Sequence, residues 1–121
     1  MQNYKDLKIW EKAHLLTLEV YKVTQQFPSE EKFGLISQLR RASSSIPANI
    51  AEGCGKSTNA ELRHFLNIAL GSANEVEYFL LLAKDLHYLQ VEKFNVLTSE
   101  INSIKAMLIA LIAKVKATLK T

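Results

Sequence analysis

The sequence predicts an all-α protein: one domain over residues 1–121, folded as an antiparallel up-and-down four-helix bundle whose second helix is kinked near Pro47. Apolar residues recur with the period of an α-helix along most of the chain, with three interruptions at turn residues. Only four glycines and two prolines are present, so turns are few and elements are long. A chain of 121 residues suits one domain with its own core.

The predicted first helix, residues 6–26, carries two apolar stripes. The stripe interpreted as its core face consists of Leu7, Trp10, His14, Leu18 and Tyr21. The second stripe lies beside it on a helical wheel and consists of Ile9, Ala13, Leu16, Val20 and Val23. A bundle helix needs only one stripe to reach its core, so the second predicts an interface between copies of the chain.

The predicted second helix begins after Phe27 and Pro28, with Ser29 as its N-cap. Its inward residues are Leu35, Leu39, Ala42, Ile46 and Ile50. Pro47 removes a backbone donor and crowds the Ser43 carbonyl, which predicts a kink or a short break over residues 43–47. Gly53 and Gly55 are expected to end the helix.

The third helix, residues 58–87, is expected to open with a capping box formed by Thr58 and Glu61. We expect His87 to end it in the left-handed conformation, which histidine tolerates better than most residues. The fourth helix covers residues 91–118. The inward residues are Leu62, Phe65, Ala69, Ser72, Val76, Phe79, Ala83 and Leu86 on the third helix and Ile101, Ile104, Leu108, Leu111, Val115 and Leu119 on the fourth. Apolar residues expected off these core faces are Leu66, Leu70, Leu81, Met107 and Ile109.

Composition and charge predict a soluble cytoplasmic protein that has no membrane partner. A single cysteine permits no internal disulfide, and residues 1–14 have no apolar signal segment. The longest uncharged apolar stretch, residues 106–113, is far short of the ~20 residues that span a bilayer. Residues 1–100 hold 11 Lys and Arg against 12 Asp and Glu, whereas residues 101–121 hold four lysines and no acid. The net charge of +3 therefore resides in the last helix.

The patterns that resemble enzyme sites each lack a required part. Residues 53–57 (GCGKS) resemble a phosphate-binding loop, but Ile50 stands where that motif needs glycine, and a helix precedes it rather than a strand. The serines at 43–45 have no histidine and acid placed beside them. Cys54, next to Lys56, could have a lowered thiol pKa, but a lone turn cysteine is usually structural. We therefore predict no catalytic residues and no substrate.

A di-metal carboxylate site is a distant alternative, because bundles of that class use Glu-x-x-His pairs on two helices. Here such pairs are Glu11 with His14 and Glu61 with His64, and Glu52 lies at the same predicted end. The fourth helix offers only lysines there, and His64 falls outside the inward arc. No metal ligands and no cofactor are therefore predicted.

Basic residues suggest a surface for nucleic acid. Lysines and arginines that neutralise phosphates bind nucleic acid without regard to sequence. The candidates are Lys105, Lys116 and Lys120, which share a flank of the last helix, together with Arg40 and Arg41. A solvated helix flank explains the same pattern in a monomer, but in a ring of copies the positive field would add up.

Three segments resemble the bacterial four helix bundle protein family, also called the 23S rRNA-intervening sequence or S23 family. They are residues 27–35 (FPSEEKFGL), 37–42 (SQLRRA) and 45–53 (SIPANIAEG). The similarity extends over nearly the whole chain, although family members often have glycine at the position of His87. The resemblance implies a homopentameric four-helix bundle, sometimes encoded within ribosomal RNA genes. A related branch assists the reverse transcriptase of diversity-generating retroelements and binds nucleic acid.

The sequence thus predicts a non-enzymatic homo-oligomer that binds RNA or DNA weakly through electrostatics. The alternative is a protein–protein scaffold or accessory subunit that binds no nucleic acid. The family has no assigned catalytic residues to transfer. We expect Asn49 and Glu52 to be structural, since a proline-containing helix leaves the Ser43 carbonyl free for a nearby polar side chain.

Overall fold

The computed structural model describes residues 3–119, which form four α-helices and, within that range, no strand. The helices are α1 (Lys8–Thr24), α2 (Leu35–Cys54), α3 (Asn59–Asp85) and α4 (Val91–Leu119). Two short 3-10 turns, Tyr4–Asp6 and Ser29–Glu31, precede α1 and α2. The predicted all-α fold with four helices is confirmed.

Each helix packs against its neighbours in the chain, and α1 also packs against α4, which closes the bundle. Contacts across neighbouring helices join residues in opposite order along the chain. Between α2 and α3, for example, Arg41 pairs with Glu75 and Ser45 with Ser72. Of the four neighbouring pairs, α1 and α4 pack least closely, and a groove lies between them.

The core lies on the predicted faces of α2 and α4. All five predicted inward residues of α2 are buried, as are Ile101, Ile104, Leu108 and Val115 of α4. Leu111 is half-buried. The side chain of Leu119 lies outside the described residues. Burial of these aliphatic side chains contributes about 1.5–3 kcal/mol each to folding before the entropic cost.

The interpretation of the two stripes on α1 is wrong. The stripe predicted as an interface between copies supplies the chain's own core: Ile9, Ala13, Leu16 and Val20 are buried, and Val23 packs against them half-buried. Of the stripe predicted to face inward, Leu18 and Tyr21 are exposed, and Leu7, Trp10 and His14 are half-buried. The physical reason is polar chemistry. Trp, His and Tyr carry polar ring atoms that prefer access to water, whereas the aliphatic stripe buries none.

On α3 the buried face is broader than predicted because the helix contacts both α2 and α4. Leu66, expected off the core, is fully buried, and Leu70 is half-buried. Leu86, expected inward, is exposed since it lies beyond the last helical residue, Asp85. On α4, Met107 is half-buried and packs against the core, whereas Leu81 of α3 and Ile109 of α4 are exposed as predicted.

The predicted N-cap of the second helix is also corrected. Ser29 begins a 3-10 turn, and α2 starts six residues later at Leu35, after Gly34. Glu31 supplies the cap instead: its Oε1 accepts a hydrogen bond of 3.0 Å from the Leu35 amide. Its Oε2 accepts a hydrogen bond of 3.1 Å from the hydroxyl of Tyr88, in the turn between α3 and α4. One carboxylate therefore joins the start of α2 to a distant turn.

This contact makes the bundle end sensitive to alkali. The hydrogen bond to Glu31, partial burial and the nearby carboxylates raise the pKa of the Tyr88 hydroxyl above its ordinary value of 10.0. Because the folded-state pKa is raised, the stabilisation is fully present below pH 10.0 and is lost as the pH rises through the raised value. Alkaline unfolding curves should therefore shift less with pH in Tyr88→Phe than in the wild type. Identical curves would contradict this prediction.

The start of α3 follows its prediction with one change. Thr58 Oγ1 accepts a hydrogen bond of 3.2 Å from the Glu61 amide, as a capping box requires. The Glu61 carboxylate accepts from the Thr58 hydroxyl at 3.0 Å and does not reach back to the Thr58 amide. The N-cap hydrogen bond at Thr58 is thus confirmed, but the reciprocal hydrogen bond of a full capping box is not formed.

At the other end of α3, His87 adopts the predicted left-handed conformation, with a φ of 65°. The Tyr88 amide donates to the Ala83 carbonyl and the His87 amide to the Lys84 carbonyl, both at 2.9 Å, which is the Schellman arrangement. A non-glycine residue pays about 1–2 kcal/mol for this conformation. We therefore expect His87→Gly to raise the free energy of unfolding by up to about 1 kcal/mol, after the greater backbone entropy of glycine is subtracted. Urea denaturation measures the change, and a loss of stability would contradict the expectation.

Two glycines inside helices provide a matched pair. A Cβ at Gly53 would lie 3.1 Å from Phe65 Cβ and 3.3 Å from the Leu62 carbonyl, whereas a Cβ at Gly71 meets nothing within 4 Å. Alanine favours a helix over glycine by about 0.8–1 kcal/mol. Gly71→Ala should therefore stabilise by about that amount. Gly53→Ala should destabilise by about 1 kcal/mol because α2 and α3 must move apart. Thermal unfolding of both variants tests the pair, and equal shifts would contradict it.

Helix α2 continues through Pro47 without a break, so the predicted short break is not observed; the kink stays a prediction. Pro47 has no amide to donate to the Ser43 carbonyl. The hydroxyl of Thr17, on α1, lies 3.0 Å from that oxygen and 2.8 Å from the Ala13 carbonyl of its own helix. Both Thr17 and Ser43 are buried. The single hydroxyl proton of Thr17 is thus shared between the Ala13 carbonyl and the Ser43 carbonyl, which proline leaves without a backbone donor.

Candidate functional site

Three of the five residues predicted to bind nucleic acid make contacts within the chain. Lys105 Nζ lies 2.8 Å from Glu77 Oε1, and only 22% of its side chain is exposed. Arg41 lies 2.8 Å from Glu75. Arg40 donates to the Thr24 hydroxyl at 2.8 Å and to the Tyr21 carbonyl at 3.2 Å. Arg40 thereby ties the last turn of α1 to α2.

The remaining two predicted residues lie near the end of the chain. Lys116 is exposed and has no ion pair among residues 3–119; Lys120 lies outside the described residues. The structure therefore does not bring the five candidates together. Arg40 and Arg41 point to α1 and α3 respectively, and Lys105 is held by α3.

Six other lysines, not among the predicted candidates, are exposed and have no ion pair within residues 3–119. They are Lys5 and Lys32 outside the α-helices, Lys8, Lys12 and Lys22 on α1, and Lys114 on α4. The start of α1 and the end of α4 lie at the same end of the bundle, so Lys8 and Lys12 add to the positive charge of Lys114 and Lys116. Once the buried stripe of α1 is known, its spacing identifies these lysines as outward-facing.

Exposed apolar side chains occupy the outer face of α1. Leu15 and Leu18 are each 53% exposed. They line the groove between α1 and α4, which has a volume of 440 Å³ and is also lined by Lys12, Glu19, Glu100 and Ile104. We call this the α1 groove. Two neighbouring leucines are thus exposed beside an open groove.

Helix α4 also presents apolar surface that its own chain leaves uncovered. By length and composition alone α4 could cross a membrane, since an 18-residue window within residues 91–118 has a mean hydropathy of 1.5, a test that core helices of soluble bundles also pass. Only 22% of that window is buried inside the chain, however. Its outward residues form two groups: the N-terminal group mixes the polar Asn95, Ser99 and Asn102 with the apolar Val91 and Val96, and the second group is apolar (Ala106, Ile109, Ala110, Ala113 and Ala117), all of them exposed. We call the second group the α4 ridge.

The residues considered for chemistry are not assembled into a site. Among the described residues no three His, Cys, Asp or Glu side chains are placed to hold a metal ion. His14 stacks on Trp10, His64 is exposed beside Phe65, and Glu52 lies 3.8 Å from Lys56. Glu11 and Glu61 lie on the surface.

Cys54 and the serines at 43–45 are also held in structural roles. Burial raises the pKa of the Cys54 thiol, which reduces the thiolate that a nucleophile needs. The lowered pKa that Lys56 could have produced is therefore not found, in agreement with a structural cysteine. The hydroxyls of Ser43 and Ser44 donate to the Arg40 carbonyl, at 3.1 and 2.9 Å.

Asn49 belongs to a polar network between α2 and α3. Its Nδ2 donates to the Ser45 carbonyl at 2.8 Å and lies 2.9 Å from the Ser45 hydroxyl, which in turn lies 2.8 Å from the Ser72 hydroxyl. Asn49 is thus held by intramolecular bonds. The Ser43 carbonyl, which the sequence predicted to be satisfied by a nearby polar side chain such as Asn49 or Glu52, instead accepts a hydrogen bond from the Thr17 hydroxyl.

The structure and its surfaces define an all-α bundle protein without an assembled catalytic site in the described residues. Residues 5–110 match the family model described as 23S rRNA-intervening sequence protein, and the chain belongs to that family. It is also similar to a crystal structure of a protein of unknown function from the S23 ribosomal protein family of Bacteroides thetaiotaomicron. The two share 29% sequence identity and a TM-score of 0.81, over 87% of this chain and 95% of the other. No curated protein matches the chain.

Proposed function

We propose that the chain is a non-enzymatic homo-oligomer of the cytoplasm, pentameric as the S23 resemblance implies, that binds nucleic acid weakly through exposed lysines. The observation that carries this proposal is the apolar surface that one chain leaves uncovered on α1 and α4. Leu15, Leu18 and Ile109 are each more than half exposed. Covering such side chains by a second copy gains about 25 cal/mol per Å² of apolar surface.

The nucleic-acid part of the proposal is supported by charge. Residues 101–121 hold four lysines and no acid, and the exposed Lys8 and Lys12 lie at the same end of the bundle. Repetition of this end around an oligomer would sum the positive fields of the copies. Contacts to phosphate alone predict binding that tolerates any sequence and weakens with salt.

Two measurements test the proposal. Light scattering coupled to size exclusion should give a mass near five chains; a stable monomer at micromolar concentration would overturn self-association.

Fluorescence anisotropy with labelled RNA and duplex DNA should show affinity falling steeply between about 50 and 200 mM salt. Changing Lys114, Lys116 and Lys120 together to Gln should weaken the binding of both RNA and duplex DNA. Lys105→Gln is the control and should leave affinity unchanged, because that lysine already pairs with Glu77.

A scaffold that binds no nucleic acid is the second candidate. It is favoured by one observation: Arg40, Arg41 and Lys105 are engaged by other groups of the same chain. An oligomer that shows no anisotropy change with either nucleic acid at the lowest salt would select the scaffold.

A further inference from the structure

The chain carries two unlike apolar surfaces, a groove and a ridge, on neighbouring helices. We infer that the α4 ridge of one copy occupies the α1 groove of the next copy. This rests on the proposed self-association and names the two surfaces that perform it.

The ridge has the shape of an inserting surface. Its alanines follow one another at helical spacing, at residues 106, 110, 113 and 117, with Ile109 beside them. Small side chains let two helices approach to about 8 Å. The N-terminal half of the helix breaks this apolar row with Asn95, Ser99 and Asn102, beside the exposed Val91 and Val96. The uninterrupted apolar row therefore lies in the C-terminal half of α4.

The groove has the shape of a receiving surface. It is open because α1 packs less closely on α4 than any other neighbouring pair in the bundle. Its walls carry Leu15 and Leu18, and its volume is 440 Å³. An inserted helix with small side chains would cover both leucines.

Charges at the two surfaces favour this pairing over two identical surfaces meeting. The ridge is flanked by Lys114 and Lys116, and residues 101–121 contain no acid to neutralise them. Beside the groove, Glu11 and Glu100 are exposed and have no ion pair among residues 3–119. Lys12, on the same rim, has the sign of the ridge and opposes the contact. Two ridges facing each other would place only lysines together.

A contact between unlike surfaces is compatible with a closed assembly, because it makes a ring if the rotation closes and a filament otherwise.

Mixing two variants tests the inference. Ala110→Arg destroys the ridge but keeps the groove, and Leu18→Arg does the reverse. Each variant alone should be a monomer with wild-type helicity, since both residues are exposed. An equal mixture should form a heterodimer with twice the chain mass, because one intact ridge meets one intact groove. Ser99→Arg, an exposed polar position of the same helix outside the ridge, is the control and should keep the wild-type mass.

The outcomes separate the two proposals. A monomeric wild type would overturn self-association itself. An oligomeric wild type whose two variants stay oligomeric, or whose mixture stays monomeric, would overturn only the pairing of ridge and groove. If Ala110→Arg kept the wild-type mass but lost binding to vesicles of neutral phospholipid, the ridge would be a membrane contact and the inference would be wrong.

A charge test gives an independent readout. Lys12→Glu should tighten the assembly, since it removes a cation facing the lysines of the ridge, and Glu100→Lys should loosen it. Two grooves meeting face to face would instead need Lys12 as the partner of Glu100, and Lys12→Glu would then loosen the assembly. Sedimentation at several concentrations measures the dissociation constant, and loosening by Lys12→Glu overturns the inference.

Discussion

Replacing Leu16 by Ala should lower the free energy of unfolding by about 2–5 kcal/mol, whereas replacing Leu18 by Ala should change the stability of one chain by less than about 0.5 kcal/mol. The two leucines lie two residues apart on α1 and differ only in environment: Leu16 is 1% exposed and Leu18 is 53% exposed. The truncation at Leu16 removes buried methyl groups and leaves a cavity in the core. The truncation at Leu18 removes atoms that already contact water.

Urea denaturation at several protein concentrations measures both effects. The contribution of assembly to stability grows with the logarithm of protein concentration, whereas the intrinsic stability of one chain does not depend on concentration. Measurements at several concentrations therefore separate the two contributions. The loss at Leu16 should persist at all concentrations, and any loss at Leu18 should vanish on dilution. Equal losses at low concentration would contradict the assignment of Leu16 to the core and Leu18 to the surface.

The second large effect is expected at Thr17. Thr17→Val keeps the shape of the side chain but removes the hydroxyl, and leaves the buried Ser43 carbonyl without its partner. An unsatisfied buried acceptor costs about 1–3 kcal/mol. Thr17→Ser is the control: it keeps the hydroxyl and should retain most of the stability. Similar losses in both variants would mean that the methyl group, rather than the hydrogen bond, matters.

Pro47 makes this prediction more specific. In Pro47→Ala the helix is already continuous, so the new amide can donate to the Ser43 carbonyl. Removing an interior proline stabilises a helix by about 3 kcal/mol, whereas losing two buried ring methylenes destabilises the core by about 0.8 kcal/mol each. The free energy of unfolding of this variant should therefore rise by about 1 kcal/mol. Thr17→Val should then cost less in the Pro47→Ala background than in the wild type. A double-mutant cycle measures the difference, and strict additivity would show that the two groups do not share the carbonyl.

Features that depend on a local sequence pattern were predicted correctly. The four helices, the inward residues of α2, the cap at Thr58 and the conformation of His87 all follow from spacing and from the chemistry of single residues. Each of these features involves residues no more than a few positions apart. The resemblance to the family was likewise recognised from short segments, and the family model then matched residues 5–110.

What failed depends on the arrangement of helices around one another. On a helical wheel either apolar stripe of α1 could face a core, and it is the packing of α2 and α4 around the aliphatic stripe that places Leu16 inward and Leu18 outward. The lysine stripe on α4 looked continuous because Glu77, which holds Lys105, is 28 residues away in the chain. Thr17 gave no signal because its partner carbonyl belongs to another helix.

The carboxylate of Glu31 has a consequence for the motions of the bundle. It holds the first amide of α2 with one oxygen and the hydroxyl of Tyr88 with the other, across 57 residues of chain. Fraying of α2 at Leu35 and opening of the turn after α3 both release this side chain, so one event weakens the barrier to the other. The two segments should therefore open and close as a single cooperative unit, although they belong to different halves of the sequence.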